Sequence, residues 1–421
     1  MTWATRLFLT TILASLLGLA ACGPPPPEPR TGRWHAWLDS PGGELPFGLE
    51  ILDDGGGMQA YLINGDERAP VTRTAWLGQH LTLQIEYYDS TVTATLSADG
   101  QRLDGQWEKT IGLNRKARLA FHAVKGRDAR FPDGEVDLDP DTVERITGRW
   151  AVDFAQDDQP AVGIFEAGRD GRVTGTFLTT TGDYRYLEGT FDGERLRLSC
   201  FDGAHAFLFD ARLQPDGRLT GDFWSRDSWH ERWTAHKDAG AALPDGFELT
   251  RWISGADLSQ VAYPDLEGRS RSLNDPEFAG AARILVVFGS WCPNCKDATA
   301  HLVELDREYR DRGLSILGLA FEATGDFERD AAQVRRYAEY HGIRYPLLIA
   351  GSSDKADASK AFPLLDRIRS YPTMIFMRGD GRVLAVHQGY SGPATGRANL
   401  ELRERFALLV EEMLADAQAG R

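Results

Sequence analysis

Residues 285–297 read LVVFGSWCPNCKD, an apolar stretch typical of a buried strand, followed by two cysteines that are separated by two residues. Pro293 follows Cys292 directly. Proline is favoured in the first turn of a helix because its fixed φ suits that position and its N–H is not needed there. The pattern therefore predicts a strand that gives way to a helix at Cys292. A Cys-x-x-Cys pair in such a place is typical of redox exchange, metal binding or haem attachment.

The residues around the pair argue against the last two roles. Haem attachment needs a histidine directly after the second cysteine, and Lys296 stands there. A structural zinc site needs four ligands, and no second Cys or His pair exists outside the N-terminal segment. A copper chaperone would need a positioned histidine, for which His301 and His387 are only loose candidates. Redox exchange is therefore the role that the sequence favours.

The start of a helix is a suitable place for a reactive thiol. Free backbone N–H groups and the helix dipole stabilise negative charge at this end of a helix. Cys295 lies almost one turn further on and could close a disulfide back to Cys292. We therefore expect Cys292 to be the exposed attacking sulfur and Cys295 to be the buried resolving one.

The chain changes character at residues 238–250, DAGAALPDGFELT, whose Gly, Ala and Pro content predicts a linker. Strand and helix patterns alternate beyond it. We expect strands at 284–289, 314–321, 345–349, 373–377 and 382–387, and helices at 292–310, 327–341 and 402–413. This order of elements is typical of the thioredoxin fold, which we predict for residues 250–421.

Three segments, in this order, resemble the TlpA/ResA-like family of periplasmic thiol–disulfide oxidoreductases, within the AhpC/TSA-Redoxin superfamily. They are 264–275 (PDLEGRSRSLND), 284–295 (ILVVFGSWCPNC) and 370–383 (SYPTMIFMRGDGRV). The resemblance covers about residues 250–415. It implies that Cys292 and Cys295 are the redox cysteines, and that protein thiols or disulfides are the substrates.

The resemblance also assigns a cis-proline at Pro372, which would lie beside the redox pair and present backbone groups to a substrate strand. The residues that flank the two motifs are expected at the rim of the site: Trp291, Pro293, Asn294, Tyr371 and Thr373. Thioredoxin has a buried acid six residues before the first cysteine, where this chain has Val286. Glu322 is our candidate for the missing proton acceptor, although an acid at this position could equally cap the next loop.

Residues 31–34, TGRW, recur at 147–150, and the LxGxW pattern at 103–107 has an LxGxF counterpart at the same offset of 116 residues. Two matches in one register predict a duplicated unit, with copies at 31–126 (module 1) and 145–238 (module 2). Alternating apolar residues and Asp-Gly or Asn-Gly turns predict antiparallel strands in both. The expected fold class is therefore multidomain: two all-β modules, each a barrel or a sandwich, followed by an α/β thioredoxin-like domain.

The N-terminus predicts export from the cytoplasm. Residues 1–21 carry one positive charge and an apolar run of about 15 residues, the pattern of a signal peptide. Cys22 follows two alanines, an arrangement that resembles the bacterial lipobox and implies a lipid anchor at Cys22. A plainly cleaved signal and an uncleaved membrane anchor are the alternatives. The prolines of residues 22–30 predict a stiff linker.

Charge and targeting together limit the possible partners. The formal net charge of −15 argues against a nucleic-acid partner, which would need a basic face. The predicted anchor implies a periplasm-facing position in the bacterial cell envelope, on either the inner or the outer membrane. Since the sequence contains no nucleotide-binding signature, electrons should come from another protein, for which the resemblance implies a membrane electron donor.

The predicted activity is that of an envelope thiol–disulfide oxidoreductase that reduces protein disulfides. We expect no metal and no cofactor apart from a redox-active disulfide between Cys292 and Cys295. One alternative is a lipoprotein whose β modules bind a ligand or partner, with the thioredoxin unit as a scaffold. A thiol peroxidase is the other alternative, but its motif places a threonine three residues before the reactive cysteine, where this chain has Gly289.

Overall fold

The computed structural model describes residues 30–127, 130–131, 136–253, 255 and 257–419. The predicted signal peptide, the predicted lipidation site Cys22 and all but the last residue of the predicted linker lie outside the described residues. Among the residues that are described, no helix is long and apolar enough to cross a membrane.

Module 1 is an antiparallel sheet whose strands follow one another along the chain. They are β1 (Gly32–Ser40), β2 (Gly43–Asp53), β3 (Met58–Asn64), β4 (Glu67–Pro70), β5 (Arg73–Leu77), β6 (His80–Ile85), β7 (Ser90–Leu96), β8 (Arg102–Gly112) and β9 (Arg115–Lys125). Their order in the sheet is β4-β3-β2-β1-β9-β8-β7-β6-β5. A 3-10 turn at Glu86–Tyr88 joins β6 to β7 and, as described below, faces the C-terminal domain.

Module 2 begins with a short helix, α1 (Pro140–Ile146), and closes into a barrel. Its strands are β10 (Gly148–Phe154), β11 (Ala161–Ala167), β12 (Arg172–Thr179), β13 (Gly182–Asp183), β14 (Leu187–Phe191), β15 (Arg195–Phe201), β16 (Ala206–Leu213), β17 (Leu219–Ser225) and β18 (Trp229–Lys237). Their order is β11-β10-β18-β17-β16-β15-β14-β12-β13, and pairing of β11 with β12 closes the barrel.

The two sheets match strand for strand. β1 corresponds to β10, and once the β11–β12 pairing is included the order of the neighbours on either side is the same. Among the described strands, the β12–β14 pairing has no counterpart between β3 and β5. Trp34 on β1 and Trp150 on β10 are both buried, as the recurring TGRW sequence leads one to expect of equivalent core positions. A common origin by duplication stays a prediction.

The C-terminal domain has the alternating architecture that the sequence predicts. Its elements are β19 (Ala262–Pro264), β20 (Ser270–Ser272), β21 (Ala282–Phe288), α2 (Pro293–Tyr309), β22 (Leu314–Glu322), α3 (Phe327–His341), β23 (Leu347–Ser352), α4 (Lys355–Ala361), β24 (Thr373–Arg378), β25 (Val383–Gln388) and α5 (Arg397–Ala419). The sheet order is β23-β22-β21-β24-β25, with the first three strands parallel. The predicted fold class, β modules followed by a thioredoxin-like domain, is confirmed. Helix α4 and the β19–β20 hairpin were not predicted.

The hydrophobic cores show how the domains are joined. The buried side chains of module 1 and of the C-terminal domain form one continuous cluster, which Phe201 and Leu208 of module 2 also join. The inside of the module 2 barrel has a separate core. Tyr87 of module 1 stacks on Tyr340 of α3 with ring centroids 4.2 Å apart. Inside the barrel, Phe177 stacks on Phe209 at 4.7 Å. The contact between module 1 and the C-terminal domain is therefore part of the folded core.

We expect Gly105→Ala to destabilise module 1. Gly105 on β8 lies so close to β7 that an added β-carbon would overlap the carbonyl oxygen of Thr93. Since a strand backbone cannot move aside without breaking its ladder, the free energy of unfolding should fall by about 2–3 kcal/mol. Equilibrium urea denaturation measures this change. Gly56→Ala, in the exposed turn between β2 and β3, is the control and should stay within about 0.5 kcal/mol of the unmodified protein.

Candidate active site

Cys292 lies where strand β21 gives way to helix α2. Its backbone is extended, it caps the N-terminus of α2, and Pro293 occupies the first turn as predicted. The Cys292 Sγ accepts a hydrogen bond from the backbone N–H of Cys295 at 3.2 Å. A helix N-terminus that directs a free N–H at a sulfur stabilises negative charge on that sulfur. The local geometry therefore suits Cys292 to be a thiolate nucleophile.

The loop before β24 brings the predicted cis-proline to the same place. The Tyr371–Pro372 peptide bond is cis. The carbonyl oxygen of Tyr371 lies 3.4 Å from the Cys292 Sγ, close enough to accept the thiol hydrogen. Thr373, the first residue of β24, fixes the loop because its hydroxyl donates to the carbonyl of Ser370 at 2.9 Å. Cys292 is thus held between the first turn of α2 and the Pro372 loop.

The remaining flanking residues also gather around the pair. The indole N–H of Trp291 donates to the carbonyl of Phe321 at 2.9 Å, and the Trp291 ring meets that of Tyr371 edge-on at 5.4 Å. Asn294, between the two cysteines, faces Gly182 of module 2. The structure therefore brings together every flanking residue that the sequence placed at the rim.

The exposure of Cys292 differs from the expectation. Only 5% of Cys292 is exposed and Cys295 is fully buried, so the prediction of an exposed attacking sulfur is wrong. The Tyr371 carbonyl and the first turn of α2 enclose the Cys292 sulfur within the C-terminal domain, and module 2 adds a contact to the neighbouring Asn294.

Cys295 is held as a thiol. Burial raises its pKa well above the ordinary value, and the hydrogen bond with Cys292 and the nearby charge of Glu322 raise the pKa further. A thiol with such a pKa needs a proton acceptor before it can attack a disulfide. The buried position of Cys295 is the one predicted for a resolving cysteine.

Metal binding finds little support around the two sulfurs. Within the described ranges of the chain, no group of three or more His, Cys, Asp or Glu side chains is arranged to hold a metal ion. The hydrogen bonds of Cys292 go to the backbone of Cys295 and Tyr371. The absence of a cofactor other than a disulfide stays a prediction.

Glu322 ends strand β22, next to the strand that leads into Cys292. Its carboxylate accepts two hydrogen bonds from Ser290: one from the backbone N–H at 2.8 Å and one from the hydroxyl at 2.6 Å. Ser290 lies two residues before Cys292, so the carboxylate holds the turn that carries the redox pair. Glu322 therefore lies beside the turn that carries the cysteines, as expected of a proton acceptor for Cys295. Its hydrogen bonds are made with Ser290 and not with a sulfur atom.

Burial raises the pKa of Glu322 to about 7. The hydrogen bonds from Ser290 lower the pKa, since they favour the charged form, but desolvation outweighs them. A carboxyl group with a pKa near neutrality can both accept and release a proton under ordinary conditions. This property is what a proton acceptor for Cys295 requires.

Module 1 supplies residues to the surroundings of Glu322 that sequence reasoning missed. Lys109 on β8 is buried, and its ammonium donates to the carbonyl of Tyr88 at 2.7 Å. Burial lowers the pKa of Lys109 to about 8, while the charge of Glu322 works in the opposite direction. Two groups whose pKa values both lie near neutrality, about 7 for Glu322 and about 8 for Lys109, therefore influence each other across the boundary between the domains.

A small cavity of about 20 Å³ separates the two domains at Glu322. Its walls include Tyr88 and Thr110 of module 1 and Ser290, Glu322 and Arg329 of the C-terminal domain. Such a volume is enough for about one water molecule, and its polar walls suit one. A water in this cavity would be a partner to which the Glu322 carboxyl group can pass a proton.

The raised pKa of Glu322 predicts a pH-dependent stability. In the folded protein the group binds a proton up to about pH 7, and in the unfolded chain only up to its ordinary pKa of 4.5. The free energy of unfolding should therefore fall by about 3 kcal/mol as pH rises from 4.5 through 7. Glu322→Gln cannot titrate, so this part of the fall should be absent in urea denaturation of the variant at pH 5 and pH 8.

Glu328→Gln, on the exposed face of α3, is the matched control and should keep the pH dependence of the unmodified protein. Parallel stability curves for the unmodified protein and Glu322→Gln would contradict the raised pKa.

Comparison with known proteins finds similarity over the part of the chain that contains Cys292, Cys295 and Pro372. Residues 254–386 match the AhpC/TSA family. The thiol-disulfide oxidoreductase ResA of Halalkalibacterium halodurans is 28% identical over 136 residues, which are 32% of this chain and 69% of the relative. The thioredoxin-like protein YneN of Bacillus subtilis is 27% identical over 135 residues, 32% of this chain and 71% of the relative.

Solved structures align with about a third of the chain. A putative thiol:disulfide interchange protein DsbE from Chlorobium tepidum is 16% identical, with a TM-score of 0.28, and the alignment covers 36% of this chain and 92% of that one. The family match lies entirely beyond modules 1 and 2. The C-terminal domain is thus similar to the AhpC/TSA family and to thiol-disulfide oxidoreductases of the ResA kind.

Proposed function

We propose that this chain is a thiol–disulfide oxidoreductase of the bacterial cell envelope and that it reduces disulfides in other proteins. The observation that carries the proposal is the placement of the Cys292 Sγ between the N–H of Cys295 and the carbonyl of Tyr371, beside the cis peptide bond of Pro372. The names of the relatives support the same chemistry, since ResA is described as a thiol-disulfide oxidoreductase.

The reaction uses two sulfurs in turn. The Cys292 thiolate attacks one sulfur of a substrate disulfide, forms a mixed disulfide and expels the other substrate sulfur as a thiolate. Cys295, after losing its proton, attacks the Cys292 Sγ and releases the second substrate thiolate. The substrate gains two electrons and two protons, and the enzyme is left with a Cys292–Cys295 disulfide. No other cofactor takes part.

Glu322 accepts the proton of Cys295 in this scheme. The pKa of Glu322 is about 7, so at neutral pH a large fraction of it is ionised and able to take a proton. Its contact with Ser290 keeps it beside the redox turn. The small cavity next to Glu322 has room for a water that takes the proton onward from the carboxyl group.

A membrane protein supplies the electrons that restore the two thiols. The predicted signal peptide and lipid anchor at Cys22 place the chain on the periplasmic face of a membrane, where such a donor is within reach. Attachment through Cys22 also keeps the C-terminal domain in the oxidising compartment in which protein disulfides form.

Trapping of substrates tests the proposal directly. In Cys295→Ser the second attack cannot occur, so a mixed disulfide between Cys292 and a substrate should accumulate. Cys292→Ser lacks the attacking sulfur and should trap nothing. Reduction of insulin disulfides by the full chain should fall to the uncatalysed rate in both variants, measured by the turbidity of the released chains.

Cys200→Ser provides the control for these variants. Cys200 lies fully buried on β15, where burial raises its pKa well above the ordinary value, so it should neither trap substrate nor affect the rate. Insulin reduction at only the uncatalysed rate by the unmodified protein would overturn the proposal in favour of a binding protein. Rapid consumption of peroxide without disulfide reduction would point to a thiol peroxidase.

Replacement of Glu322 should slow the second attack. In Glu322→Gln we expect release of substrate from the mixed disulfide to be about 100-fold slower at pH 8, since general bases contribute about 10²–10⁴-fold. The rate in the unmodified protein should rise with pH through about 7, and the variant should lack this rise. Rapid-mixing measurement of mixed-disulfide decay gives both rates.

Glu328→Gln makes the same chemical change at an exposed position of α3 and should leave the decay rate unchanged. An intact pH profile in Glu322→Gln would show that another group takes the proton of Cys295.

A further inference from the structure

A segment of module 2, residues 180–185, lies directly on the first turn of α2. Gly182 has a φ of +149°, and a β-carbon added to it would overlap the side-chain amide of Asn294. The next residue, Asp183, directs its backbone N–H at the Asn294 Oδ1 at 3.5 Å. The residue between the two cysteines is therefore in contact with a different domain.

Arg185, at the end of this segment, joins all three domains. Its guanidinium pairs with Asp297 of α2 and with Glu67 of module 1, and its Nε lies 3.3 Å from Asp202 of module 2. Arg185 is only 3% exposed. The planar guanidinium with its five donors can serve several carboxylates at once, which a lysine ammonium on a flexible stem does less well.

The same segment also holds the other side of the redox site. The carbonyl of Thr181 accepts a hydrogen bond at 2.9 Å from the hydroxyl of Ser370, next to the Pro372 loop. Asp183 accepts a hydrogen bond from the backbone N–H of Gly392 at 2.6 Å, in the loop after β25. Residues 180–185 thus contact α2, the Pro372 loop and the loop before α5.

Charge around Arg185 is unevenly balanced. The carboxyl groups of Glu67, Asp183, Asp202 and Asp297 are all close to this one guanidinium and largely shielded from water. In such surroundings an unpaired charge acts strongly on its neighbours because little solvent screens it. The positive charge of Arg185 therefore offsets a negative potential at the turn that carries Cys292.

We propose that Arg185 of module 2 is a positioning residue for the redox pair, and that through Asp297 it sets the reduction potential of Cys292 and Cys295. This inference rests on the proposed function, since it concerns the same dithiol. In the equilibrium with glutathione, two thiols lose two electrons and two protons to glutathione disulfide and form the Cys292–Cys295 bond. Any charge that disfavours the Cys292 thiolate destabilises the reduced side.

Two substitutions should shift the reduction potential of the Cys292–Cys295 pair in opposite directions. Arg185→Met leaves the carboxylate of Asp297 unpaired, which disfavours the Cys292 thiolate and should make the pair about tenfold more reducing. Asp297→Asn removes a negative charge and should make the pair about tenfold more oxidising. A tenfold change in the exchange constant corresponds to about 30 mV for two electrons. In Arg185→Met/Asp297→Asn the two effects should largely cancel.

The measurement is the equilibrium constant of the full chain against glutathione buffers at pH 7.5, read by the fraction of Cys292 and Cys295 that resists alkylation. The rate of Cys292 alkylation in the reduced protein is a second readout and should fall in Arg185→Met and rise in Asp297→Asn. Arg195→Met is the control, since Arg195 pairs with Asp210 on the same barrel away from α2. It should leave both readouts unchanged.

An unchanged exchange constant in folded Arg185→Met and Asp297→Asn would overturn the inference and leave Arg185 with a structural role only. Should Arg185→Met fail to fold, Asp297→Asn decides alone, since it leaves no α2 carboxylate without a partner. If the unmodified protein shows no exchange at Cys292 and Cys295, the proposed function itself fails. The two failures are therefore distinguishable.

Discussion

Removal of water from the first turn of α2 is the constraint on which the rest of the site depends. A polar or charged group that is buried must have a partner, because no solvent compensates it. Each group of the turn follows this rule: Ser290 pairs with Glu322, the Cys292 Sγ with the N–H of Cys295, and Asp297 with Arg185. The redox chemistry therefore operates in surroundings where small changes in charge have large effects.

The two β modules meet this turn from different sides. Module 1 lies against Glu322, near which it places Lys109 and Tyr88. Its Tyr87 ring also lies 5.3 Å from the ammonium of Lys296 on α2. Module 2 contacts the turn itself through Gly182 and Arg185. Both modules therefore contribute residues to the surroundings of the redox turn.

The sequence predicted what depends on local chemistry. The strand before Cys292 and the helix that Pro293 begins follow from short segments, and the structure places them as predicted. The cis peptide bond at Pro372 was implied by the family resemblance, and it too is present. No sequence pattern predicted the contact of Arg185 with α2. Arg185 follows an ordinary strand pattern in another domain, more than 100 residues before Cys292. Partners across domains depend on how the domains pack, and packing leaves no periodicity in either segment.

The family match includes the two cysteines but not the residues of modules 1 and 2 that contact the redox turn. The match covers residues 254–386, so Arg185, Glu67 and Lys109 all lie outside it. The family match therefore carries no information about these three charges. Because a reduction potential measures the balance between thiolate and disulfide, it depends on nearby charges as much as on the cysteines. The potential of this dithiol is therefore a property of the three packed domains, and the thioredoxin fold alone does not determine it.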